Sequence, residues 1–450
     1  MDQYKLSENL GGRVFFINHS ELDERLDPLF YVAVKKIKEN IVSKAKYECI
    51  DLIKTCTINR GRFGHRPRND PRFYGGEYPF IQTGDIVKAS ESNESIKYTQ
   101  TLNELGLKTS KLFEPPKLLF TIAANIGDTA ILDYPSCFPD SIVALIPNNS
   151  NLLLEYLNTY LILIKPYIVE LAPYSAQRNL NNQQLAQVPV IIPPIDIQES
   201  IVSKIKMAYS EKKQKEAEAQ KLLNSIDDYL LSKLGIELPD KAENTIQSRI
   251  FTRRLSEVSG DRFDPFFQSL NRQDKIGKYN FYKLQKLAFV RKGNSITSND
   301  ICDGEIPVIA GGQSSPYSHN VSNSNGDVIT VSASGAYSGY VWYHSTPIFA
   351  SDCTIISSSN IDLLDNKYLF EYLNLEQQNI YNLQQGSGQP HVYPSDLEKI
   401  KIPVPPIEKQ SEIVSYITQI RKQAKQLQQQ AKAELEQAKK EVEAMILGEV

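Results

Sequence analysis

Between Leu171 and Val202 the chain carries a pattern that it repeats, without a gap, 212 positions later. Ten of these 32 positions are identical in the second copy: Leu171, Ser175, Gln177, Leu185, Pro193, Pro194, Ile195, Gln198, Ile201 and Val202. At the same offset Gly127 meets Gly339, Pro135 meets Pro347 and Asp140 meets Asp352. Further upstream, Arg25-Leu26-Asp27-Pro28 returns as Arg262-Phe263-Asp264-Pro265, Arg60-Gly61 as Lys292-Gly293, and Tyr78-Pro79-Phe80-Ile81 as Ile306-Pro307-Val308-Ile309. A chain written twice must fold into two related units, each with its own core. The copies are unequal in one place, because Pro79 to Gly127 spans 48 residues and Pro307 to Gly339 only 32.

Each copy runs into a long amphipathic stretch. After Pro405 and Pro406, which can precede a helix but not sit inside one, apolar or small residues fall at Ile413, Ile417, Ile420, Ala424, Leu427, Ala431, Leu435, Ala438, Val442 and Met445. Steps of four and three are the seam of a helix lying along another helix. Gly448 supplies the stop, and some forty residues at ~1.5 Å each make a rod of roughly 60 Å. The earlier stretch places Ile201, Ile205, Ala208, Ala219, Leu222, Ile226 and Tyr229 on one stripe, with Lys212 and Lys215 interrupting it. Each rod is the other's obvious partner, and the connectivity predicts an antiparallel pair.

The order is therefore a leader (1–19), a first globe (20–192), a central long helix (193–235), a polar connector (236–259), a second globe (260–404) and a C-terminal long helix (405–450). Short strands alternate with Gly, Asn and Ser turns in both globes: Lys117–Ile122 and Ala130–Leu132 in one, Asp327–Val331 and Gly339–Tyr343 in the other. Helices are expected near Leu152–Ile168 and Leu364–Tyr381. The fold class is α+β, two duplicated domains with two long antiparallel coiled-coil helices.

Composition narrows the chemistry. Hydrophobic content of 41% and charged content of 23% fit a globular protein, and no stretch reaches the ~18 apolar residues of a membrane helix. Five cysteines without a C-x-x-C spacing, and an N-terminus without a signal pattern, point to reduced thiols in the cytoplasm. There is no G-x-x-x-x-G-K-[ST] and no N-P-P-[FY], and the five histidines stand at no metal spacing. No catalytic or metal-binding residue is expected.

Binding signals are stronger. The segment from Asn59 to Gly76 carries Arg60, Arg62, Arg66, Arg68 and Arg72, spaced by glycines and aromatics and opposed only by Asp70. Arginine suits phosphate and the guanine O6/N7 edge; the bland alternative is a solvated loop paired with the globe's own acids. The matching stretch of copy two is Arg291, Lys292 and Asn294. Polar loops suited to base edges are Gln82, Thr83, Asn125, Ser175, Gln177 and Arg178 in copy one, and Gln313, Ser314, Ser334, Tyr337, Ser338, Gln389 and His391 in copy two. For any one of them, a turn-stabilising side chain is the competing reading.

Taken in order, these features resemble the specificity subunit of type I restriction–modification systems: the Arg-x-Asp-Pro openings, Ile306-Pro307-Val308-Ile309, the Ser332–Tyr340 run, Gly386-Ser387-Gly388-Gln389, and Pro-Pro-Ile…Gln…Ile-Val at the head of each rod. The resemblance implies two target-recognition domains reading a bipartite, asymmetric site on double-stranded DNA. The helices then set the gap between the halves. It also implies two methyltransferase subunits docked on the helices, with restriction subunits joining in systems that cut. S-adenosylmethionine, ATP and Mg²⁺ belong to those partners, and the chain itself needs no cofactor and no membrane. The alternative is a coiled-coil protein–protein scaffold that never meets DNA. If the rods act as a ruler, four residues inserted after Ala431 will change the accepted spacer and leave both half-sites as they were, as read by sequencing the methylated sites.

Overall fold

The computed structural model describes residues 28–64, 69–172, 179–237, 276–386 and 388–449, with 245, 250, 252, 254–258, 262 and 264. They form two compact units: unit 1 comprises Met1–Glu216 and Gln428–Val450, and unit 2 comprises Ala217–Leu427.

In unit 1 the chain forms helix α1 (Pro28–Asn40), strands β1 (Glu48–Asp51), β2 (Cys56–Arg60) and β3 (Tyr74–Phe80), and helix α2 (Thr83–Ser92). Strands β4 (Gln100–Leu102), β5 (Leu112–Phe113), β6 (Lys117–Thr121), β7 (Thr129–Leu132), β8 (Ser136–Cys137) and β9 (Ile142–Pro147) follow. Helix α3 (Leu154–Glu170), strand β10 (Pro189–Ile192) and the long helix α4 (Ile195–Leu234), whose residues to Glu216 belong to this unit, follow. The central sheet is antiparallel in the order β2-β9-β6-β7. Successive side chains of a strand point to opposite faces, and here both faces are covered. Leu118, Phe120, Val143 and Leu145 pack with Tyr156, Leu157 and Tyr160 of α3. Leu119, Ile142 and Ala144 pack on the other side with Ile81, Ile86 and Phe138.

Unit 2 repeats the plan with β11 (Phe281–Lys283), β12 (Ala288–Lys292), β13 (Ile306–Ile309), β14 (Ser318–His319), β15 (Val328–Ser332), β16 (Val341–His344), β17 (Phe349–Ala350) and β18 (Cys353–Ser358). Helix α5 (Asn366–Leu375), strand β19 (Lys401–Pro403) and the long helix α6 (Ile407–Leu447) follow. Its sheet runs β12-β18-β15-β16, strand for strand the order of unit 1. The antiparallel pair β11–β19 matches β1–β10, and the parallel pair β13–β17 matches β3–β8. Between β3 and β6 the longer copy one carries α2 and a turn of helix at Glu104–Thr109, whereas among the described residues between β13 and β15 copy two has strand β14 and no helix. The helices expected near Leu152–Ile168 and Leu364–Tyr381 are α3, and α5 with a further turn at Gln377–Tyr381.

Both long helices are unbroken, with 40 residues in α4 and 41 in α6. Within each unit the segments of the two run antiparallel. In unit 1 Lys204 pairs with Glu441 and, eleven residues on, Lys215 pairs with Glu434. In unit 2 the rings of Tyr229 and Tyr416 stack at 4.0 Å and Lys233 meets Glu412 at 3.5 Å. Ile201, Ile413, Ile417, Ala431 and Val442 of the expected seam are fully buried. Lys215 interrupts that seam as an ion pair between helices, which offsets the missing apolar contact.

Each long helix is fastened at its start in the same way. Gln410 has no exposure; its Nε2 donates to the carbonyls of Leu363 and Pro405, both at 2.8 Å, and its Oε1 accepts from Asp365 N at 2.9 Å. Gln198, equally buried, donates to the carbonyls of Asn151 and Pro193 at 2.8 Å and accepts from Leu153 N at 2.9 Å. One buried amide thus satisfies three backbone groups at the junction of loop and helix, and the identity of this residue in both copies follows. Gln198→Ala or Gln410→Ala strands those groups, and each is expected to cost its unit about 2–4 kcal/mol in urea unfolding.

Unit 2 also contains a buried histidine. His344 on β16 shares a 2.8 Å hydrogen bond with Thr330 Oγ1 and lies 4.9 Å from the ring of Trp342. Burial lowers its pKa from 6.5 to about 4. Between these values the unfolded chain binds a proton that the folded one refuses, so stability present above pH 6.5 is lost as pH falls toward 4. The loss should approach roughly 3 kcal/mol and vanish in His344→Gln. The fluorescence of Trp342, the single tryptophan of the chain, reports the transition.

Candidate nucleic-acid interface

The loops at one end of each sheet hold most of the sequence-predicted residues. In unit 1 the exposed Arg60 closes β2, and its Nε donates to the main-chain oxygen of Asp140 at 2.7 Å. Gly61 follows because nothing larger fits: a Cβ there would stand 2.3 Å from the carbonyl oxygen of Pro139. Gly293 answers in unit 2, where a Cβ would stand 2.2 Å from the carbonyl oxygen of Ser351. Each basic loop therefore departs from a fixed pivot. Beyond Gly61 the backbone is clamped, with Gly64 N donating to Thr109 O at 2.8 Å and Ser110 Oγ to Arg62 O at 2.7 Å. This pairing sets the exposed Arg62 beside the exposed Lys111, whose ammonium lies 4.9 Å from the Phe113 ring centre.

Arg72 is exposed and forks onto Asp70, with Nη2 2.6 Å from Oδ2 and Nε 3.1 Å from both carboxylate oxygens. Hydrogen bonding and charge from Asp70 raise the guanidinium's pKa further. The guanidinium is exposed while the Asp70 carboxylate is largely covered. Arg66, Arg68, Ser175, Gln177 and Arg178 lie outside the described residues. Asn179 bridges to Ala123, and Leu180 N donates to Ile122 O at 2.8 Å, which brings the chain after Arg178 alongside the turn that exposes Asn125.

Two expectations for unit 1 need correction. Gln82 and Thr83 open helix α2 rather than projecting from a loop. Gln82 N donates to Asp85 Oδ2 at 3.0 Å and its side-chain amide bonds Gln100, so both residues, half-buried, serve the helix start.

In unit 2 the loops converge through their backbones. Ala333 N reaches Asp352 O at 3.1 Å, Val392 N reaches Ala333 O at 3.0 Å, Gly335 N reaches Pro390 O at 3.1 Å, and Asn294 N reaches Ala350 O at 2.9 Å. Asn294, Ser334, Tyr337, Gln389 and His391 are thereby gathered along one edge. Ser334 Oγ donates to the carboxylate of Asp352, and the rings of His391 and Tyr393 stack with 6.1 Å between centres. Tyr337 and Tyr393 remain 48% and 42% exposed, ample for stacking on a base. Gln313 bonds the hydroxyl of Tyr381, and the exposed Ser314 follows it. Arg291 and Lys292 are exposed on β12, with Arg291 Nη2 donating to Asn323 O at 3.1 Å. Ser338 is a further correction: it has no exposure and cannot touch a ligand at the surface.

Sequence reading missed Lys111, Asp352 and Tyr393. Lys111 carries no local signal, since it meets Arg62 only through the clamp. Asp352 did carry one, its match to Asp140, but a strand end explains a lone Asp as readily. An exposed carboxylate oriented by a serine can accept from cytosine N4.

Among the described residues no group of three His, Cys, Asp or Glu side chains could hold a metal, and no helix is long and apolar enough to cross a membrane.

The family profile of the type I restriction modification DNA specificity domain matches the chain twice, over residues 56–224 and 277–437. A putative type I restriction enzyme specificity subunit of Haemophilus influenzae, S.HindORF215P, is 26% identical over 258 residues, 53% of this chain and 57% of that one. The MjaVIII specificity subunit of Methanocaldococcus jannaschii is 31% identical over 84 residues, 19% of this chain and 20% of that one. The matches thus span little more than half of one curated relative and a fifth of the other. A solved chain from work on complex assembly and conformational transition of the type I R-M system shares the fold, with a TM-score of 0.55 and 14% identity over 89% of this chain and 96% of its own. With the profile covering well over half of its length in two copies, the chain belongs to the family of the type I restriction modification DNA specificity domain.

Proposed function

We propose that this protein reads a bipartite, asymmetric sequence on double-stranded DNA, one half with each unit, and performs no chemistry itself. The observation that carries the reading is that one scaffold, built twice, ends in unlike loops. Unit 1 offers Arg60, Arg62, Arg72 and Asn125, whereas the same end of unit 2 offers Ser334, Tyr337, Asp352 and His391. Identical sheets with different edges suit two different half-sites. The exposed flanks of the long helices would dock two methyltransferase subunits and, where cutting occurs, restriction subunits. S-adenosylmethionine, ATP and Mg²⁺ would be bound by those partners in the cytoplasm. A scaffold that binds protein alone is the competing reading, and a salt-dependent shift of duplex DNA by the chain with its methyltransferase separates the two.

The unit 2 cluster then has a specific consequence. Asp352→Asn is expected to relax preference at a position in one half-site by about 1–3 kcal/mol, with the other half-site untouched. Arg62→Ala should instead weaken binding to all sequences and lower the salt slope by about one. Binding titrations at several salt concentrations and sequencing of methylated sites distinguish the outcomes. Loss of preference in both halves from Asp352→Asn alone would contradict the assignment of one half to each unit.

A further inference from the structure

The turns that expose Asn125 and Tyr337 stand on one frame. Between β6 and β7, Thr121 N donates to Asp128 O and Gly127 N to Thr121 O, both at 2.9 Å. Between β15 and β16, Ser332 N donates to Tyr340 O at 3.0 Å and Gly339 N to Ser332 O at 2.7 Å. Asn125 and Tyr337, 212 positions apart, are the last exposed residues of each turn before the buried Ile126 and Ser338. The same position of each copy tethers the turn from behind. Lys165 of α3 and Gln377, in the helical turn after α5, are likewise 212 residues apart. Lys165 Nζ lies 2.6 Å from Oδ1 of the buried Asp128, and its stem packs on Gly127, where a Cβ would stand 3.0 Å from the lysine Cγ. Gln377 does with an amide what Lys165 does with charge: its Nε2 donates to Gly339 O at 2.7 Å and its Oε1 accepts from Val341 N at 2.9 Å. Gln384 Nε2 adds a bond to Ser338 O at 2.7 Å.

The unit 1 turn carries a further sign of restraint. Ala123 bridges Asn179 and Ser334 bridges His391, so the residues that follow, Ala124 and Gly335, occupy matching places. Both are left-handed, Ala124 at φ +64° and Gly335 at φ +83°. Glycine adopts that region freely, whereas a Cβ makes it costly. Ala124 is exposed, so burial of its methyl group does not account for the choice. The wholly buried Thr121 holds the turn in shape, its hydroxyl donating to Asn125 O and accepting from Asp128 N at 3.0 Å. A strained residue fixed beside a binding residue points to pre-organisation, and alanine denies the turn the many conformations glycine would allow. Orientation matters for the residue next to it, because a carboxamide held in one plane pairs bidentately with the N6/N7 edge of adenine.

We propose, on the footing that these turns read DNA, that Lys165 and Gln377 are positioning residues for that reading, each acting through the turn of its own unit, and that left-handed Ala124 pre-sets Asn125 for an adenine edge. Neither tether touches the duplex; each fixes where the exposed tip of its turn can stand.

The full chain is combined with its methyltransferase subunit, duplex binding is titrated at several salt concentrations, and methylated sites are sequenced. Lys165→Met, which keeps the stem on Gly127, should relax the preference for A·T at one position of one half-site about tenfold and leave the salt slope unchanged. Lys165→Arg, which keeps the ion pair, should retain the preference. A lysine bound to phosphate would instead weaken every sequence alike when removed and lower the slope by about one. Ala124→Gly relieves the strain, so the urea midpoint should hold or rise while the same preference falls about fivefold; a purely structural role would move the two together. Gln377→Leu should relax the other half-site alone. Circular dichroism checks the fold of each variant, and Ala124→Gly decides the matter should Lys165→Met fail to fold. A lowered slope in Lys165→Met, or a preference unaltered by Ala124→Gly, overturns the proposal while the reading of DNA stands. A parent complex with no sequence preference overturns both.

Discussion

The side chain of Gln410 sits wholly out of water, bonded to the backbone of Leu363, Asp365 and Pro405. Gln198 does the same for Asn151, Leu153 and Pro193. Each amide ties three things together: the loop that leads into the globe's own helix, the proline turn that leaves the last strand, and the first turn of a long helix. These hydrogen bonds add direction to the apolar packing of Ile201 and Ile413, which is non-directional by itself. Both helices then contribute to both units, since unit 1 takes the start of α4 and the end of α6 and unit 2 takes the remainder.

What the copies share and what they do not share divide along physical lines. Strand order, the glutamine, the Gly61 and Gly293 pivots and the positive-φ glycines at 127 and 339 are common to both. These are positions where sterics or an unsatisfied backbone group leave no freedom. The loops launched from them carry Arg62 and Asn125 in one unit and Asn294, Ser334 and Tyr337 in the other. A rigid frame holding variable loops is the usual way to obtain recognition without rebuilding a core.

Much of this was legible in the sequence. Duplication is a property of the letters themselves, and the helical seam is a period that tertiary structure merely uses; Ile413, Ile417, Ala431 and Val442 follow from spacing alone and are buried. Individual surface residues were less legible, because exposure is decided by what folds over them. Ser338 sits one residue from the exposed Tyr337 yet has no exposure at all. Gln82 has the chemistry to read a base, but its neighbour Asp85 turns it into the start of a helix. Lys111 joins Arg62 only through a pairing between segments 48 residues apart. Local pattern specifies elements, and the edges of sheets are assembled from afar.

The junction that each buried amide secures is spelled alike in both places, as Pro193-Pro194-Ile195 followed by Gln198 and as Pro405-Pro406-Ile407 followed by Gln410. Genetic recombination that joined one copy to the other at this point would regenerate both prolines, the isoleucine and the amide in their proper order. The fold therefore contains a splice point at which one reader can be traded for another while the helix anchor survives intact.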